Sequence, residues 1–207
     1  MVLRVADYAT GQSAKPGYVA GMKTTNYDWV ETFRQCYDKA VAENGKGNRQ
    51  AAKYFNAEET AFLASIGCKA QELYDFAEDW CAGQEPSFAT VVLITSVRRD
   101  FFHVVQKGQP SRRTVSMADL PAKDAEVAGF VWLPRIIAKA RAKLHGEMSP
   151  DFMYSCGGDR AFLKKVDIHP ADFLREVWAA RDDDRKIIEY VTKQAAAVAG
   201  KTHDFEL

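Results

Sequence analysis

The sequence predicts an all-α protein: two tandem copies of a helical unit packed into one body, preceded by an extended N-terminal arm. Three observations predict it. Apolar residues recur at helical spacing through most of the chain. Helix start and stop signals bracket those stripes. The segment that begins at Tyr54 also reappears at Tyr154, without a gap, one hundred residues later.

Residues 1–25 carry neither helical nor strand periodicity and are expected to form the arm. In "NYDWVETFRQCYDKAVAENG", Trp29, Phe33, Cys36, Tyr37 and Ala40 fall on one helical face and Gly45 closes it. "NAEETAFLASIG" opens with a capping box, Asn56 with Glu59, and ends at Gly67. "KAQELYDFAEDWCAG" places Leu73, Phe76, Ala77 and Trp80 on one face. The stretch 85–108 is β-branched in its middle. It reads as a helix because Phe88, Val91, Val92, Thr95, Phe102 and Val105 share a helical stripe. Residues 108–129, with Pro110 and Pro121, form a linker loop. Pro134 is tolerated only in a first turn, so the next helix begins near Leu133. "GDRAFLKKV" is a short helix. His169 and Pro170 start another, and Asp182 or Asp183 caps the last.

This divides the chain into an arm (1–25), a first helical copy (26–107), the loop (108–129) and a second copy (130–207). Tyr54 pairs with Tyr154, Ala61-Phe62-Leu63 with Ala161-Phe162-Leu163, and Lys39-Ala40 with Lys139-Ala140. Amphipathic helices resemble one another cheaply, so unrelated helices remain the competing account. The expected core is Trp29, Phe33, Phe62, Leu63, Leu73, Phe76, Ile136, Ala140, Phe162, Leu163, Phe173 and Val177.

The 207 residues include 28 Lys+Arg and 28 Asp+Glu, a net charge of zero. Nothing in that balance recommends a nucleic-acid or membrane-surface partner. The longest apolar run, "VVLI", is too short to span a bilayer. Four cysteines, at 36, 68, 81 and 156, show no C-x-x-C spacing; with no signal-peptide pattern, a cytoplasmic protein with reduced thiols is expected. The first three sit in helical patterns and are expected to be buried as small hydrophobes. The histidines show no H-x-x-x-H or H-E-x-x-H pairing, so no metal site is indicated, and neither nucleotide-binding glycine motif is present. No particular cofactor or oligomeric state is implied. Arg98, Arg99 and Asp100 read as a solvated turn of helix rather than a buried pair.

The two copies differ most at "YSCGGDR". Where the first has Asn56 and Glu59, the second has Cys156, Gly157, Gly158 and Asp159. Free amides at a helix start favour an anion and raise the thiolate fraction of a neighbouring cysteine. Asp159 is equally able to occupy those amides as a cap, leaving Cys156 packed. Arg135 and Lys139 lie at i,i+4 on the preceding helix, with Trp132 at its start. If that helix packs beside 158–165, a cleft for a small anionic or aromatic ligand results. In it Cys156, Asp159 and Tyr154 are candidate catalytic groups; Trp132, Arg135, Lys139, Gly157, Gly158 and Arg160 are candidate ligand-binding groups. The competing account is a non-catalytic module that presents helix faces to a protein partner.

The segment "GFVWLPRIIAKARAKLHGEM…YSCGGDRAFLKKVDIHPADFL" resembles the bacterial domain-of-unknown-function family numbered 5069, over roughly residues 127–195. The residues that carry the resemblance are Leu133, Pro134, Arg135, Lys139, Arg141, Ala142, Tyr154, Cys156, Asp159 and Phe162. The family's usual proline-leucine between cysteine and aspartate is Gly157-Gly158 here. The resemblance implies a small helical bacterial protein and no particular reaction.

Overall fold

The computed structural model describes residues 26–203, so the expected arm lies outside the described residues. Eight helices account for most of them. These are α1 (Trp29–Gly45), α2 (Ala57–Ser65), α3 (Ala70–Gly83), α4 (Phe88–Val104), α5 (Leu133–His145), α6 (Gly157–Lys165), α7 (Pro170–Ala180) and α8 (Asp184–His203). The β-branched middle of α4 is helical as expected: Ser87 caps it by accepting from the Thr90 amide, and Val91, Ile94 and Thr95 face the core. Asn56 and Glu59 form the capping box of α2, and His169 Nδ1 accepts from the Ala171 amide at the start of α7.

One departure from the all-helical expectation lies in the loop. Strands β1 (Glu126–Val127) and β2 (Phe130–Val131) pair antiparallel across Ala128 and Gly129. Both turn residues have positive φ, 52° and 82°, as a two-residue hairpin turn of type I′ requires. Trp132 follows at φ 81° and directs the chain into α5, whose first turn holds Pro134.

Helices α1 and α3 pack together in the first half, α5 and α7 in the second, and α4 touches both α5 and α7. One contiguous core results, with Phe33, Leu73, Val91, Ile94, Ile136, Phe173 and Val177 essentially inaccessible. Phe162 is only half-buried and packs against the edge of that core, where it meets Phe130 of the hairpin edge-on. Cys36 and Cys68 are buried, and burial pushes the Cys36 thiol up to about 11. Cys81 is exposed, contrary to expectation, since it lies near the C-terminal end of α3, off the stripe of Leu73, Phe76 and Ala77.

The seam between the halves buries charged groups. Lys143 of α5 pairs with Glu72 of α3, and both side chains are buried. Arg98, expected in solvent, is only 2% exposed, because it falls on the same face of α4 as Ile94 and Phe101. The turns that follow α2 and α6 are built alike. After α2, the Ile66 and Cys68 amides donate to Leu63 O and the Gly67 amide to Ala64 O. After α6, the Val166 and Ile168 amides donate to Leu163 O and the Asp167 amide to Lys164 O. Gly67 and Asp167 hold the same left-handed backbone, φ 69° and 53°. Among the described residues, no helix is long and apolar enough to cross a membrane.

Candidate functional site

Helix α6 starts at Gly157, with Cys156 as N-cap in extended backbone. The cysteine gives no capping bond; Asp159, in the first turn, reaches back and accepts from the Ser155 amide at 2.8 Å. Ser155 has a left-handed backbone, φ 68°, which turns its N–H toward that carboxylate. The same carboxylate accepts from Trp132 Nε1 at 2.9 Å and from Lys139 Nζ at 2.5 Å. Asp159 and Lys139 are 0% and 3% exposed at the side chain. Lys139 Nζ also lies 3.1 Å from Cys156 Sγ and donates to it. Four of the sequence-nominated residues, Trp132, Lys139, Cys156 and Asp159, therefore form one connected network between α5 and α6.

The others point elsewhere. Arg135 donates to Pro121 O at 2.5 Å and to Met117 Sδ at 2.7 Å, and its guanidinium lies over Trp132. It pins the linker loop to α5 and makes no hydrogen bond to Cys156. Tyr154 is 1% exposed and donates its hydroxyl to Pro170 O at 2.7 Å; burial pushes its phenol well above the usual tyrosine range, with Asp159 and Asp172 adding to the effect. Arg160 joins Ser155 O to Asp79 of α3. The shared open cleft expected for Cys156, Asp159 and Arg135 is not formed: Asp159 is fully buried and Arg135 is covered by residues 117–121. Cys156 is the member of the network that is not fully buried, apart from the indole of Trp132.

The glycine pair also has a packing role. A Cβ at Gly158 would stand 2.7 Å from the Trp132 ring, so glycine is what lets the indole lie against α6. A Cβ at Gly157 would meet only Arg160, at 3.9 Å. On its outer side the indole borders a groove of about 530 Å³ lined by Phe130, Trp132, Gly158, Phe162 and Lys165. Among the described residues, no cluster of three or more histidine, cysteine or acidic side chains has the geometry of a metal site.

Sequence reasoning missed Glu72 and Lys143 and placed Arg98 in solvent. The signal for Arg98 was present: it stands four residues after Ile94 and three before Phe101, on the apolar stripe.

The fold and site thus define a helical body whose second half, from hairpin to last helix, carries a buried Trp-Asp-Lys network with a thiol at its edge. Residues 118–204 match the family model described as a domain of unknown function, DUF5069. No curated protein and no solved structure matches the chain.

Proposed function

We propose that the protein binds a small ligand, and that Cys156 is the reactive group of that site. The observation that carries this reading is the Lys139 ammonium, buried and shared between Asp159 and the Cys156 sulfur. A packed cysteine needs no such partner. Here a fixed cation holds the sulfur at the start of α6, where Cys156 would act as a nucleophile toward an electrophilic ligand. The groove beside Trp132, which Cys156 does not itself line, offers an aromatic wall and the Lys165 cation, which suits an aromatic or anionic ligand. The unpaired cysteines fit a reducing compartment such as the cytoplasm.

We also infer that the two halves are copies of one helical unit. What supports this is the offset of one hundred residues, which extends to side chains. Lys39 pairs with Glu59 at 2.6 Å, as Lys139 pairs with Asp159 at 2.5 Å. The acids also reach back to a backbone amide, Glu59 to Asn56 and Asp159 to Ser155, both at 2.8 Å, the second one residue out of register with the offset. On this reading the lysine–acid frame is common to both copies. The thiol is particular to the second, since Asn56 stands where Cys156 stands.

Alkylation with iodoacetamide, located by mass spectrometry, tests the site, with exposed Cys81 as internal reference. The expected result is that Cys156 reacts faster than Cys81 in the folded protein and loses that advantage in Lys139→Gln. A Cys156 that reacts only on unfolding while Cys81 reacts freely overturns the reading in favour of a non-catalytic interaction module.

A further inference from the structure

We infer a second binding site, for a small organic anion, at the seam between the two halves, with the Arg98 guanidinium as its anchor. Arg98 is 2% exposed, and its Nη1 donates to Gln106 Oε1 at 2.6 Å. Its Nε is buried with no hydrogen-bond partner. Among the described residues, Nη2 has no hydrogen bond and the guanidinium has no ion pair; Glu72, whose field reaches it, is already taken by Lys143. A guanidinium stays charged at any ordinary pH and offers five donors. The Arg98 Cζ also lies 5.2 Å from the centre of the Phe102 ring; burying a guanidinium with one neutral acceptor and one ring face is costly, because most of the lost hydration is not replaced. Burial accordingly pulls the Arg98 pKa down from its usual value. An arginine buried only for packing would be expected to spend its donors on backbone carbonyls.

The space for a counter-ion is present. Arg98 lines a cavity of about 490 Å³, within the range of small-molecule sites. Two glycine turns, one from each half, make room for the guanidinium. Gly67 and Gly146 have φ 69° and 68°, and a Cβ would stand 3.1 Å from Arg98 Cζ at the first and 2.6 Å from Nη2 at the second. Ala64, Phe102 and Pro110 supply an apolar wall. Exposed Lys69 lines the cavity as well; it donates to Met148 O at 3.1 Å and has donors to spare. A planar donor fork beside an apolar wall selects an acidic head of two or more oxygens on a short apolar body, that is, a carboxylate or a phosphate monoester.

Isothermal titration of the full chain tests this with benzoate, phenyl phosphate, inorganic phosphate and, as neutral control, benzamide. The expected result is saturable binding of benzoate or phenyl phosphate, weakened at least about tenfold by Arg98→Gln and equally by Ala64→Trp, which fills the cavity from its exposed edge. Whichever organic acid binds more tightly identifies the head group. Cys156→Ser should leave binding unchanged, so this site stands or falls apart from the thiol. Ala64→Trp decides the matter if Arg98→Gln does not fold. The inference is overturned if neither organic anion binds, if only inorganic phosphate binds, if benzamide binds as well as benzoate, or if binding survives Ala64→Trp.

Discussion

Trp132 packs closely against Gly158, and the same indole donates its Nε1–H to Asp159 one residue further along α6. The contact tolerates no side chain at 158. Gly158→Ala should therefore destabilise the protein by about 1–3 kcal/mol through overpacking, and shift tryptophan fluorescence as the indole is displaced. Gly157→Ala, with open space around it, should be neutral or stabilising by up to about 1 kcal/mol, because alanine favours the helix. Denaturant unfolding of the two variants checks the contrast.

The two lysine–acid pairs should differ in worth because they differ in burial. Side-chain exposure is 36% and 27% for Lys39 and Glu59, against 3% and 0% for Lys139 and Asp159. Glu59→Gln should cost under about 1 kcal/mol. Asp159→Asn leaves the Lys139 ammonium buried without a carboxylate and disturbs the bond to Trp132; it should cost about 3–5 kcal/mol. Equal losses in thermal or chemical unfolding would contradict the difference in environment.

The Lys143–Glu72 pair ties α5 to α3 through the interior. Lys143→Met strands a buried carboxylate and should destabilise by about 3–5 kcal/mol. Adding Glu72→Leu to that variant should recover most of the loss, since the charge that lacked a partner is gone. A double-mutant cycle measured by urea unfolding reports this coupling directly.

Asp75 sets a pH dependence. Burial pushes its carboxyl up to about 7, with Glu72 and Glu78 adding to the effect while the Gln71 hydrogen bond and Lys143 oppose it. The folded state then holds a proton, between about pH 4 and 7, that the unfolded chain has released. Its contribution to stability is full at low pH and is lost as pH rises through that window. Asp75→Asn, which can still accept from Gln71, should remove this slope and raise stability above pH 7 by on the order of 2 kcal/mol. Unfolding free energies measured from pH 4 to 8 for both proteins check the sign.

Much of the helical scaffold was legible from local rules. Apolar spacing marks α1, α3, α4 and α7, and Asn56, Ser87, His169 and Pro134 mark where helices begin, because capping chemistry acts within one turn. The hairpin escaped notice because each of its strands is two residues long, too short to show alternation, and its turn is Ala128-Gly129 rather than asparagine-glycine.

The sequence by itself determined the helices, their ends, the parallel between Tyr54 and Tyr154, and the concentration of unusual chemistry at 154–160. All of these depend on residues within a turn or on a linear comparison of segments. Only the tertiary structure decided which polar groups are buried and what they face. Arg135 and Lys139 share a helix face in the sequence, yet one reaches the Pro121 carbonyl and the other Asp159 and Cys156. Arg98 is confined between glycine turns contributed by segments 79 residues apart, Gly67 and Gly146. The destination of a long charged side chain is set by the neighbouring helix that covers it, and that neighbour is chosen by packing of the whole core rather than by the residues beside it in the chain.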